Sequence, residues 1–197
     1  MGGLELSLNS DIEPVQTYID VCTPEDRVSL CENDPPHKNG RILSHSDTAL
    51  PLINSESFWQ NYEIVKSRGD GHCFIYSAVS SLRYQHNMSL DAEAVLRYIT
   101  HESLNNVHRY MYLFESVQTF ELEMFNYINE KTYDSSYVDL LPHFLANALR
   151  LPIIVICQKD DAYDYNAIPY TDDNNQLVFG QNVLLLFKNG LHYDGLR

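Results

Sequence analysis

Apolar residues recur at helical spacing in several stretches, and short β-branched runs follow them. From Phe74 onward, Phe74, Ala78 and Leu82 fall four apart with Ile75 and Val79 beside them, the stripe of an amphipathic helix. Ser55 to Asn61, around Trp59, predicts a short helix, and Tyr62 to Lys66 an extended lead-in. Between them and Phe74 lies the turn Ser67-Arg68-Gly69-Asp70-Gly71. A second helix is expected from Ser89, as N-cap, to about Asn105, with Ala92, Val95, Leu96 and Ile99 inward. Phe120, Met124 and Ile128 predict another. Leu141, Phe144, Leu145, Ala148 and Leu149 predict one more, with Pro142 in its first turn and Asp139 as N-cap. Leu151 to Cys157 is short, apolar and β-branched, the mark of a buried central strand, and Asn182 to Phe187 is a second such run. Lys188-Asn189-Gly190 is a turn, and Leu191 to Asp194 resumes an extended segment. Helices first and strands later give an α+β fold class: a small central β-sheet flanked by helices.

Residues 1–54 read differently. Up to Ser55 the chain carries nine acids, three bases and five of its eight prolines, and Tyr18 is its only aromatic residue. Such a composition predicts an acidic N-terminal extension, partly disordered or packed on the domain that spans 55–197. The whole chain has 197 residues with 44% hydrophobic content, enough for one globular core. No run of 18 apolar residues occurs, so no membrane helix is expected, nor does a secretory signal open the chain. Met1-Gly2-Gly3 falls short of a lipidation start because Leu6 stands where Ser or Thr is needed.

Acids outnumber bases 27 to 13, for a formal charge of −14. That balance argues against gripping nucleic acid or an anionic membrane, and favours a partner with a basic face. The cysteines Cys22, Cys31, Cys73 and Cys157 form no C-x-x-C pair. A zinc ribbon or redox motif is therefore not expected, and a reducing compartment is the simpler setting. Cys157 reads as an inert core thiol, and His72 as a residue facing solvent. The acidic stretches Asp160 to Asp164 and Asp172-Asp173 read as solvated loops between strands. His101 and His108, seven apart, lack a second ligand pair. No metal or cofactor is expected.

The chemistry concentrates at Asp70-Gly71-His72-Cys73-Phe74. A cysteine at a helix N-terminus faces unpaired N–H groups and the positive end of the helix dipole, both of which favour thiolate. Gly71 lets the backbone bend just before it, and the same N–H groups could stabilise an oxyanion. Downstream, His192 and Asp194 sit at i and i+2 on the extended run and so share one face. Asp194 can orient the imidazole while its other nitrogen faces Cys73. By chance alone Asp-Gly-x-Cys turns up on the order of once in a hundred chains of this size, so its pairing with His-x-Asp carries the weight.

These residues resemble the OTU (ovarian tumour) family of papain-like cysteine deubiquitinases. The resemblance takes in Asp70 to Phe74 with the helix after it, His192-Tyr193-Asp194, the upstream Tyr62 to Val65, and Tyr137 to Ile156. It covers about residues 55–197 and looks closest to small virus-type or mobile-element-type OTU domains. It implies hydrolysis of isopeptide bonds after the C-terminal glycine of ubiquitin through a thioester. Cys73 would be the nucleophile, His192 the general base and acid, Asp194 the third member, and Asp70 the aspartate that shapes the loop. Backbone N–H groups of Asp70, Gly71, His72 and Cys73 would form the oxyanion hole. The family often has Asn or Ser where His72 stands. Ubiquitin or polyubiquitin would be the substrate, with no nucleic acid or membrane partner, no cofactor, and a monomer in the cytoplasm or nucleus. Hydrolysis of another ubiquitin-like modifier and a catalytically silent ubiquitin-binding module are the alternatives.

Overall fold

The computed structural model describes residues 52–180 and 182–197. The expectations for the N-terminal extension up to residue 51, with Cys22 and Cys31, lie outside the described residues. The elements are α1 (Glu56–Asn61), β1 (Ile64–Val65), α2 (Cys73–His86), α3 (Ala92–Asn105), α4 (Val117–Glu130), α5 (Ser136–Asp139), α6 (Leu141–Leu149), β2 (Ile153–Lys159), β3 (Ala162–Ile168), β4 (Tyr170–Thr171), β5 (Leu177–Val178), β6 (Leu184–Asn189) and β7 (His192–Leu196). Two single 3₁₀ turns, Val107–Arg109 and Met111–Leu113, join α3 to α4. The main sheet runs β1-β7-β6-β2-β3 and is antiparallel throughout, except that β2 and β6 pair in parallel. Strands β4 and β5 form a separate small hairpin. This is the expected α+β arrangement.

The central strands are buried on both faces because their apolar residues alternate between two cores. Ile153 and Val155 of β2 and Leu184 and Leu186 of β6 join the larger core with α2, α3, α4 and α6. Ile154, Ile156, Leu185 and Phe187 point the other way, onto Ile53, Phe58 and Leu196. Each such side chain contributes about 1.5–3 kcal/mol by leaving water. On that second face Trp59 donates its indole N–H to the Ile53 carbonyl at 2.9 Å and packs on Tyr163, with ring centroids 4.5 Å apart.

Helix α2 lies across β6 and β7. Its close approach depends on Gly195, where a Cβ would come within 2.9 Å of the Ser80 Cβ. Gln85, buried on α2, fixes the register of that packing. Its amide donates to the carbonyls of Leu185 (2.9 Å) and Leu196 (2.8 Å) and accepts from the Leu185 N–H at 2.8 Å. Ser81 Oγ accepts from the Leu196 N–H at 2.8 Å. Buried backbone polar groups thus keep their partners where helix and sheet meet.

Three local expectations differ from the structure. Asp91, not Ser89, caps α3: its carboxylate accepts from the Ala94 N–H at 2.7 Å. A capping side chain must stand directly before the first helical residue to reach the third, and an anion there also meets the dipole favourably. Asp139 does not cap α6, because it ends the short α5; the N-cap position is Leu140, with Pro142 in the first turn as expected. Most of the stretch from Asp160 to Asp164 is not loop. Asp160 and Asp161 make a tight turn, and Ala162 opens the seven-residue edge strand β3, paired with β2 from Ile153↔Ile168 to Lys159↔Ala162. The Asp172-Asp173 stretch does turn between strands, linking β4 to β5.

Candidate active site

The loop from Lys66 to His72 joins β1 to α2, and both halves of the candidate site converge on it. Cys73 is the first residue of α2 and is 4% exposed. As a first-turn residue its N–H has no helical partner. Strand β7 supplies His192 and Asp194. Because β7 packs beneath α2, Tyr193 meets Phe74 edge to face, with centroids 5.2 Å apart. His192 lies over the loop: a Cβ on Gly69 would be 4.0 Å from the His192 Cε1.

His192 and Asp194 share one face of β7, as the i, i+2 spacing requires, and Nε2 lies 3.2 Å from Asp194 Oδ1. A carboxylate only accepts, so a proton on Nε2 would face Asp194 and leave Nδ1 as the free ring nitrogen. Asp194 is fully buried, and the loop surrounds it with donors. Lys66 Nζ reaches Oδ2 at 2.8 Å and the Ser67 N–H reaches Oδ1 at 2.9 Å. Burial alone would raise the Asp194 carboxyl; the Lys66 and Ser67 hydrogen bonds and the Lys66 charge outweigh it and hold the group below its ordinary value. The Ser67 hydroxyl donates to the Tyr193 carbonyl and lies 3.5 Å from His192 Nε2. The imidazole itself is 36% exposed, so a substrate can reach it from solvent.

Asp70 shapes the other side of the loop. Its Oδ1 accepts from the His72 N–H at 3.2 Å, and Oδ2 accepts from Lys131 Nζ at 2.8 Å and from the Tyr76 hydroxyl at 3.1 Å. The Lys131 hydrogen bond leads the shift of its carboxyl down to about 2. Gly71 has φ +90, and a Cβ there would stand 2.1 Å from the Lys131 carbonyl oxygen. Only glycine fits both the backbone angle and that contact.

His72 does not face solvent. It is buried at the N-cap of α2, where Nε2 donates to the Tyr127 carbonyl at 2.9 Å and the ring packs on Tyr127. Its own N–H is committed to Asp70. Of the expected oxyanion donors, Asp70, Gly71, His72 and Cys73, the His72 N–H is therefore already occupied. Three contributors are not legible in the sequence: Lys66 and Ser67, which hold Asp194, and Lys131, which pairs with Asp70 and whose carbonyl leaves no room for a Cβ at position 71. Lys66-Ser67 sits where the extended lead-in passes into the glycine turn, the one local signal for these two residues. Lys131 carries no local pattern.

Cys157 sits half-buried on β2, and burial pushes its thiol up, in keeping with an inert role. His101 faces Asn105 across one turn of α3, at 2.8 Å. Among the described residues no group of three or more His, Cys, Asp or Glu could hold a metal ion, and no helix is long and apolar enough to cross a membrane.

No family model matches the sequence, and no curated protein matches it. Solved structures do. The viral OTU domain protease of Dera Ghazi Khan virus is similar at a TM-score of 0.50 and 17% identity, over 69% of this chain and 80% of that one. The OTU deubiquitinase from Wolbachia pipientis wMel, solved bound to ubiquitin, is similar at 0.51 and 15%, over 70% and 96%. The OTUD1 OTU domain is similar at 0.51 and 12%, over 77% and 99%. Sequence identity this low speaks to architecture, and the architecture matches: a mixed central sheet with helices packed on it, of the papain-like kind. The chain carries the OTU-family fold.

Proposed function

We propose that this protein is a cysteine-dependent deubiquitinase that hydrolyses the isopeptide bond after the C-terminal glycine of ubiquitin. The observation that carries the reading is the His192–Asp194 contact of 3.2 Å on the strand packed beneath the helix that Cys73 opens, within an OTU fold. Ubiquitin as substrate draws support from the Wolbachia neighbour solved with it, and from the acidic balance of this chain.

In this reading the Cys73 thiolate attacks the carbonyl carbon of the terminal glycine. The carbonyl π electrons move to oxygen, and the free N–H groups at the start of α2 and in the loop before it bind that oxyanion. His192, protonated at Nδ1, gives its proton to the leaving lysine amine as the C–N bond breaks, and a thioester remains. The now neutral Nδ1 takes a proton from water, whose oxygen attacks the thioester, and Cys73 departs as thiolate. Asp194 keeps the proton on Nε2 throughout and stabilises the imidazolium when it forms. Lys66 and Ser67 hold Asp194 ionised and oriented, so they act as positioning residues.

A ubiquitin probe with a C-terminal electrophile tests the reading. The expected result is an adduct of ubiquitin mass on the wild type and none on Cys73→Ala, with His192→Ala slowing capture. A folded wild-type protein that forms no adduct overturns it.

A further inference from the structure

Asp70, Gly71 and His72 precede Cys73, and the end of α4 meets all three. Lys131 Nζ reaches Asp70 at 2.8 Å, and the Lys131 carbonyl leaves no room for a Cβ at Gly71. His72 donates from Nε2 to the Tyr127 carbonyl at 2.9 Å and lays its ring against that of Tyr127, with centroids 4.9 Å apart. The helix end explains why that carbonyl is available. In a continued helix it would accept from the Lys131 N–H, four residues on. Lys131 instead takes left-handed φ, 56, and its N–H turns to the Asn126 carbonyl. The Tyr127 carbonyl is left in a buried position, where an unmade hydrogen bond is costly, and the imidazole serves it. The reaction proposed above gives the His72 side chain no task.

We propose that His72 is a positioning residue for the hydrolysis: its bond to the Tyr127 carbonyl fixes the backbone at the start of α2, so that the Cys73 N–H meets the oxyanion. The inference rests on the reading of Cys73 as nucleophile. His72 holds the N-cap position of α2, where a side chain usually turns back to accept from the first turn. This one makes no such bond and reaches to α4 instead. Its own N–H is held by Asp70 Oδ1 at 3.2 Å. The residue before Cys73 is therefore anchored twice, through its backbone to Asp70 and through its side chain to α4. Both anchors lie on the backbone side of Cys73, and neither touches the sulfur. Loss of the imidazole bond should thus slow acyl transfer, in which charge gathers on an oxygen, and spare simple alkylation of Cys73, in which it does not.

The test compares His72→Phe, which keeps a ring against Tyr127 and loses the donor, with His72→Gln, which loses the ring and keeps an N–H at a similar reach. Each is measured in the full chain, at a temperature where circular dichroism shows it folded. The readouts are turnover of a fluorogenic amide of the ubiquitin C-terminus and alkylation of Cys73 by iodoacetamide, followed on the Cys73 peptide by mass spectrometry. His72→Phe should lower kcat about 10–100-fold, the scale of a misplaced donor, with KM and the alkylation rate within about twofold of wild type. His72→Gln should recover most of the lost kcat. A folded His72→Phe with the wild-type kcat overturns the inference, and so does an alkylation rate that falls in step with kcat. If His72→Phe does not fold, His72→Gln decides: kcat within about threefold of wild type upholds the bond, and a larger loss in the folded variant overturns it. A folded wild type that turns over no ubiquitin amide overturns the reading of function, and this inference with it.

Discussion

Two aspartates flank Cys73, and each meets a lysine at 2.8 Å, yet the two contacts are different devices. Asp194 has no exposed side-chain surface and gathers Lys66, the Ser67 N–H and His192 around it. The Asp70 side chain is 37% exposed and gathers Lys131, Tyr76 and the His72 N–H. Water stands ready to replace any partner that Asp70 loses. It cannot do so for Asp194 without opening the packing of β7. Equal distances therefore conceal unequal consequences, because the cost of an unpaired charge depends on the burial of the group left behind.

That contrast breaks most visibly at Asp194. Asp194→Asn keeps the shape but lets an amide N–H face His192, which favours the wrong imidazole tautomer; turnover of a ubiquitin substrate should fall by roughly 10²–10⁴-fold, measured as kcat against wild type. Next comes Gly71→Ala, which should unmake the Asp70 side from its backbone. The Cβ meets the Lys131 carbonyl and the φ of +90 is strained. A loss of about 1–3 kcal/mol in a urea titration is expected, with activity falling further than stability. Lys66→Ala and Lys131→Ala then compare the two lysines directly. Lys131→Ala should shift the midpoint little, since water can replace the lysine on the part-exposed Asp70, whereas Lys66→Ala leaves the fully buried Asp194 a partner short, should cost about 1–3 kcal/mol, and should also reduce activity through Asp194.

Acid gives the smallest and most graded separation. The Asp70 carboxyl falls from an ordinary 3.8 to about 2 in the folded protein, and Asp194 is lowered as well. A carboxyl lowered on folding contributes stability that is complete above its unfolded value and is lost as pH drops through its folded one. Urea midpoints should thus decline between about pH 4 and pH 2, and Asp70→Asn should flatten part of that decline. An unchanged slope in Asp70→Asn would mean that the exposed pair adds nothing to folding.

The parts of the site that could be read from the chain are those whose geometry is local. A glycine turn running into a four-residue apolar repeat places Cys73 at a helix start without any knowledge of the rest. His192 and Asp194 need only the two-residue period of a strand to share a face. The burial of His72 is not legible in the chain because it depends on the Tyr127 carbonyl, supplied by a different helix. Lys131 is illegible for the same reason: a helix end brings it to Gly71 and Asp70, and no spacing encodes that meeting. Strand β3 hid behind its acids. Tyr163, Tyr165 and Ala167 alternate toward the second core, but Asp164 and Asn166 between them, after Asp160-Asp161, resemble a loop when the partner strand is unknown.

The position of β7 also bears on how the protein comes into being. This strand follows every other element in sequence, yet it lies inside the sheet, between β1 and β6. Synthesis delivers Cys73 and its helix well before His192 and Asp194. The gap between β1 and β6 closes only when residues 192–196 enter it, and the same event seats Gly195 under α2 and brings His192 over Gly69. On the proposed reading, a nascent chain would therefore hold its cysteine without a proton acceptor until the sheet is complete, and competence to react would arrive with strand β7.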